Sequence, residues 1–318
     1  MRHLESSFSG KNQFWRYIVM IVMIIVILNT IGVVPLLISL FLKSVSNPDV
    51  LSELAANKTD LSVLGLGPNT GLFVMIFPFI AGLIGFILLV KPVHFRSFTN
   101  TINGTSRIRW KRFFISASVW MILQAIFLLI YIKADPGNFT INNKTASLFT
   151  LILISLLIIP FQASFEEVLF RGYFMQGFAA LVKNRWFPWI ITSVLFGLMH
   201  SFNPEVKEYG FLIMMPQYLL FGLIFGLVTV FDDGIEAAMG AHTANNVFVC
   251  IMVTQKSSAL QTAALFEQHN IYPWADLLGL LFTGTVFFFI LKLIFKWDDF
   301  SVLFEKVKGK KEASGSIN

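Results

Sequence analysis

The segment Phe161–Phe174, FQASFEEVLFRGYF, places two adjacent glutamates and an arginine inside an apolar run that begins near Leu148. At about 100° of rotation per helical residue, Glu167 and Arg171 share a face and can pair, with the acid on the side the helix dipole favours. Glu166 is turned away from that face by about 100°. Apolar surroundings and an adjacent like charge are the conditions in which a carboxylate becomes a proton acceptor near neutrality. The spacing therefore assigns Glu167 and Arg171 to a structural ion pair and leaves Glu166 free for chemistry. The following VLFRGYFMQGFAAL is apolar enough to prolong the helix past both acids, so they are expected at depth in a membrane. Ionisable groups there are costly and mark function.

Two of the five histidines have matching surroundings. His200 lies in VLFGLMHSF with Phe196 four residues before it, and His242 lies in GAHTANNVF with Asn246 four residues after it. His3, His94 and His269 fall in the N-terminal segment or in polar loops and are expected to be idle. A carboxylate and a histidine can hold and deprotonate a water, while a histidine and an asparagine amide can donate hydrogen bonds to an oxyanion. The set suits amide hydrolysis within the bilayer. Glu166, His200 and His242 are also a legitimate zinc ligand set with a fourth position open for water. The adjacent His-Glu spacing of the usual zinc-protease helix is absent, so a divalent metal such as zinc stays open. The same polar groups could instead line the proton or cation path of a transporter. No second half of the chain resembles the first, as the duplicated halves of a transporter would.

The elements that position these residues follow from composition. Of 318 residues, 56% are hydrophobic and 13% charged, and mean hydropathy is +0.72, which excludes a soluble globular domain. The reading is an all-α, polytopic membrane helix bundle. The net charge of +6 comes from basic residues grouped in particular loops, which reports topology and not nucleic-acid binding. The single cysteine, Cys250, excludes an intramolecular disulfide and a cysteine-based metal site. Apolar blocks predict about eight spans: Tyr17–Leu42, Gly71–Val90, Phe113–Ile132, one from near Leu148, Phe187–Phe202, Phe211–Phe231, Ala237–Thr254 and Leu277–Phe295. The loop Lys91–Arg112 holds six basic and no acidic residues and is assigned to the cytoplasm, with both termini on the same side. Asp232, Asp233 and Glu236 run against that assignment, though acids weigh little in it. For His200 and His242 to meet, helices must kink at Pro160, Pro188 or Pro216, or the link Asn203–Gly210 must sink into the protein. Gly222 with Gly226, and Ala81 with Gly85, permit close helix packing. Trp15, Trp110, Trp186, Trp274 and Trp297 sit at span ends as interfacial anchors. The polar terminus KGKKEASGSIN is expected to be disordered.

In order along the chain, EEVLFR, FGLMH and HTANN match the Glu-Glu-x-x-x-Arg, Phe-x-x-x-His and His-x-x-x-Asn motifs of the CAAX prenyl endopeptidase and bacteriocin-processing family of intramembrane proteases, called CPBP or Abi-type. The region 148–254 resembles that family, which divides the chain into N-terminal spans and loops (1–147), a catalytic core (148–254), and a final span with a basic tail (255–318). The resemblance implies that Glu166 activates water with His200, that His242 and Asn246 stabilise the oxyanion, and that Glu167 and Arg171 support them. Phe196 is expected to shape the pocket. Members are called metalloproteases, yet glutamate-activated water explains the same residues, so the resemblance does not decide metal dependence. Implied partners are the lipid bilayer and peptides or the tails of membrane proteins, with an active site open to the cytoplasmic half of the bilayer. A bacterial-type member would process peptide bacteriocins, confer immunity to them or act in envelope maintenance; the prenyl specificity of the eukaryotic branch is not carried over.

Overall fold

The computed structural model describes residues 3–56, 61–142, 145–255 and 257–309; the terminus from residue 310 onward, including most of the tail expected to be disordered, lies outside them. The chain forms helices α1 (Phe14–Asn29), α2 (Val34–Ser46), α3 (Val50–Ala56), α4 (Pro68–His94), α5 (Phe98–Ile102), α6 (Trp110–Ala134) and α7 (Thr145–Glu167). After a π-helical turn, Val168–Phe174, come α8 (Met175–Val182), α9 (Trp186–Met199), α10 (Pro204–Tyr209), α11 (Phe211–Asp232), α12 (Glu236–Met252) and α13 (Pro273–Phe295). Prolines open α4, α10 and α13, where a missing backbone N–H costs nothing.

Among the described residues, six stretches are long and apolar enough to cross a bilayer: Phe14–Ser46, Pro68–His94, Trp110–Ala134, Ser147–Val182, Phe211–Asp232 and Pro273–Phe295. The protein is a multi-pass membrane protein, and six stretches reach that length among the described residues where the sequence predicts about eight spans. Helix α9 has 14 residues and α12 has 17. At 1.5 Å per residue α9 falls short of the roughly 30 Å hydrocarbon core, and α12 barely approaches it. The first span is also broken between α1 and α2. Gly32 sits at the break, where a Cβ would lie 2.9 Å from the Cα of Pro78 in α4.

Helix α12 is the packing centre. Ala237, Ala238, Ala241 and Ala244 are buried, and a Cβ on Gly240 would lie 2.1 Å from the backbone oxygen of Phe113. Small residues let α6 and α7 close upon it, which is how a short helix of modest hydropathy sits inside a bundle. Gly222 does the same for α9 and α11, with an added Cβ 2.7 Å from Ser193 O.

At one end of the bundle the dissenting acids find their partners. Arg109 bonds Glu236 Oε2 at 2.6 Å and Asp232 Oδ2 at 3.1 Å, and Arg112 pairs with Asp232. Trp297, expected as an interfacial anchor, is buried and donates to Asp232 Oδ1 at 2.9 Å. The acids are neutralised by the basic loop itself. At the other end a small sheet unforeseen in the sequence pairs β1 (Phe139–Ile141) antiparallel and β2 (Val253–Thr254) parallel to the central β3 (Phe266–Gln268).

Candidate active site

The helix carrying Glu166 and Glu167 does continue beyond them, as far as Val182, but through the π turn. Met175 N reaches back five residues to Phe170 O, so Arg171 O loses its usual donor. His3 supplies a replacement, its Nε2 lying 3.0 Å from Arg171 O. His94 Nε2 is 2.7 Å from Tyr173 OH on the same turn. Both histidines are buried, contrary to the expectation that they idle in loops. Burial pushes His3 below the ordinary imidazole range.

Glu167 and Arg171 pair at 2.9 Å, and neither side chain is exposed. Arg171 also donates to Gly222 O at 3.3 Å and lies 4.2 Å over the ring of Phe196. Phe196 in turn presents its ring edge-on to His242, with centroids 5.9 Å apart. The same Glu167 oxygen accepts from His242 Nδ1 at 2.8 Å. Since that carboxylate already accepts from Arg171, the hydrogen sits on Nδ1. Nε2 then faces Glu166 Oε2 at 3.8 Å, too far for a direct hydrogen bond and close enough for one oxygen to contact both.

Glu166 is held differently. Gln162, four residues earlier, donates to Glu166 Oε1, and Asn246 donates to Gln162 Oε1 at 2.8 Å. Asn245 donates to Asn246 Oδ1 at 2.9 Å and accepts from Gln124 at 2.8 Å. Glu166 Oε2 remains buried with no hydrogen-bond partner. His200 ends α9, donates from Nδ1 to Phe196 O at 2.8 Å, and stacks on Tyr218 at 4.5 Å. Its Nε2 is left as an acceptor in the neutral ring.

Glu166, His200, His242, Asn246 and Phe196 line one cavity of about 340 Å³, together with Gln162, Asn203, Glu205, Tyr218 and Asn245. The shortness of α9 and the inclusion of Asn203 and Glu205 from the link bring His200 to the level of the other groups. The cavity is also lined by Ser258, Ala259 and Leu260, which follow the far end of α12 from the Arg109 cluster. It therefore extends toward the end opposite the arginine-rich loop. Gln162 and Tyr218 were missed in the sequence. The four-residue spacing of Gln162 to Glu166 was the available signal, while nothing local marked Tyr218.

Among the described residues no three His, Cys, Asp or Glu side chains are arranged to hold a metal ion. Glu166 Oε1 is occupied by Gln162, and the Nδ1 atoms of His200 and His242 by Phe196 O and Glu167. Glu166 Oε2 and the two Nε2 nitrogens keep their lone pairs, and each Nδ1 is bonded to an oxygen, as in histidines that ligate a metal.

The family model for type II CAAX prenyl endopeptidase Rce1-like proteins matches residues 145–248. An uncharacterized protein, YyaK, of Bacillus subtilis (strain 168) is 30% identical over 250 residues, covering 78% of this chain and 81% of the relative. No solved structure matches.

Proposed function

We propose that this chain, which belongs to the type II CAAX prenyl endopeptidase Rce1-like family, hydrolyses peptide bonds of membrane-associated peptides or protein tails with a water activated by Glu166. The observation that carries the reading is Glu166 Oε2, a buried carboxylate oxygen with no hydrogen-bond partner, on a residue that lines the cavity with His200, His242 and Asn246. An unpartnered buried carboxylate is costly, and a water or substrate oxygen relieves it.

Hydrogen-bond direction divides the histidines. His200 spends its Nδ1 hydrogen on Phe196 O and keeps an acceptor, which suits holding the water beside Glu166. His242 spends its Nδ1 hydrogen on Glu167; as an imidazolium it presents an Nε2–H donor. Asn246 has a second amide hydrogen beyond the one given to Gln162. His242 and Asn246 thus suit the oxyanion. The water oxygen bonds to the carbonyl carbon as Glu166 takes its proton; the C–N bond then breaks and that proton passes to the leaving amine.

The test is cleavage of quenched fluorescent membrane peptides by detergent-purified protein and by Glu166→Gln, each with and without a chelator. The expected result is cleavage that is insensitive to chelator and lost in Glu166→Gln. Activity surviving the substitution removes Glu166 as the base, and loss on chelation replaces glutamate-activated water with a metal reaction.

A further inference from the structure

The cavity holds a second carboxylate that the reaction does not use. Glu205, on the short helix α10 between α9 and α11, lines it. Its Oε1 accepts from Tyr218 OH at 2.5 Å, and Asn203 donates to that same hydroxyl at 3.0 Å, so the tyrosine proton is committed to Glu205. Glu205 Oε2 is buried and has no hydrogen-bond partner. Tyr218 is also the ring on which His200 stacks, so Glu205 is one side chain removed from the water-holding histidine.

Among the described residues no salt bridge reaches Glu205. No lysine or arginine among the described residues lines the cavity, and Arg171, beyond Phe196, is paired with Glu167. Glu205 therefore sets a local negative potential between low-dielectric walls, which attracts a cation and repels an acidic side chain. A buried oxygen without a donor carries a desolvation penalty, and a substrate N–H that fills it forms a charge-assisted bond.

We propose that Glu205 forms a subsite for a basic side chain of the substrate peptide beside the scissile bond, a deepening that rests on the peptidase reading above. One free oxygen offers a single acceptor, which matches the point charge of lysine better than the two-pronged fork of arginine.

The experiment uses full-length protein carrying Glu166→Gln in detergent, in which peptide is not consumed and Glu205 is the remaining carboxylate of the cavity. The probes are fluorescein-labelled apolar peptides with one lysine walked across the central positions, and matched peptides with norleucine or glutamate there. Binding is read by fluorescence anisotropy. At one position lysine should bind about tenfold tighter than norleucine, with glutamate weaker than both, the size of a charge-assisted hydrogen bond. Adding Glu205→Gln, which keeps an acceptor for Tyr218, should level lysine with norleucine; Glu205→Asp should retain the preference. Equal binding at every position, or a preference that survives Glu205→Gln, overturns the subsite. Cleavage by the unsubstituted protein is measured in parallel. A lysine preference in binding with no cleavage sinks the peptidase reading and leaves the subsite, while cleavage with no lysine preference sinks the subsite alone.

Discussion

The pair Glu167–Arg171 gives the sharpest test of how the site is held together. The perturbation is a cycle of Arg171→Met, Glu167→Gln and the double variant. Both side chains are fully buried at 2.9 Å, so removing one partner leaves an uncompensated charge in a low-dielectric interior, at a cost of about 3–5 kcal/mol. Arg171→Met further loses a bond to Gly222 O and the stacking over Phe196, about 1 kcal/mol together or somewhat more. Glu167→Gln keeps an acceptor for Arg171 and His242 and loses only the counter-charge. The double variant has no charge to strand, so it should be less destabilised than the sum of the single changes by at least about 2 kcal/mol. The assay is unfolding in mixed micelles of rising denaturing-detergent fraction, followed by tryptophan fluorescence and circular dichroism. Two single variants that each cost under about 1 kcal/mol, or a cycle additive within about 0.5 kcal/mol, would refute the argument.

Three further outcomes are expected. Gln162→Leu should lower kcat about 10- to 100-fold with little change in KM, because it frees Glu166 Oε1 and the Asn246 amide from their common support; steady-state cleavage of one peptide checks this. Arg109→Ala strands the almost fully buried Glu236 and leaves Asp232 to Arg112 and Trp297, and should cost about 2–4 kcal/mol in the same unfolding assay, the upper range being trimmed because Arg109 is 27% exposed. His3 is held below the ordinary imidazole value by burial, so the unfolded chain takes up its proton first on acidification; its contribution is present above the ordinary value and fades as pH falls below it. His3→Gln can still donate to Arg171 O, and it should flatten the loss of stability between about pH 7 and 5 relative to the unsubstituted protein.

The parts of this architecture that rest on local periodicity could be read in advance. Glu167 with Arg171, the prolonged helix and the glycine of the α9–α11 contact follow from spacing and from residue size. What depends on tertiary placement could not. His94 looks like a loop residue because Arg96 and Lys91 flank it, yet it is buried against Tyr173. Asp232 and Glu236 look like a topological dissent until Arg109, more than a hundred residues earlier, is seen across from them. Hydropathy counts α9 and α12 as spans because it measures composition and not reach; α12 is buried by its alanines and glycine, and α9 stops at His200. The π turn was hidden for a similar reason, since a helix carrying one extra residue per turn has the same composition as one without it.

The division of roles between the two histidines follows from charge as much as from hydrogen-bond direction. Glu166, Glu167 and Arg171 place two acids and one base in a buried cluster, and His242 bonds Glu167 within it. In the proposed reaction, the proton that Glu166 takes from the attacking water leaves the cluster more positive by one charge, while the substrate oxygen becomes negative by one. His242 Nε2, 3.8 Å from Glu166 Oε2, is the donor proposed to meet that oxygen. The reaction thus moves a charge within the cavity without creating a net one, and the donors that receive it are fixed beforehand by Glu167 and Gln162. A His242→Gln variant, which can still accept at the cavity but cannot carry the compensating charge, should therefore lose kcat far more than it loses peptide affinity. Equal losses in both would place His242 in substrate binding instead.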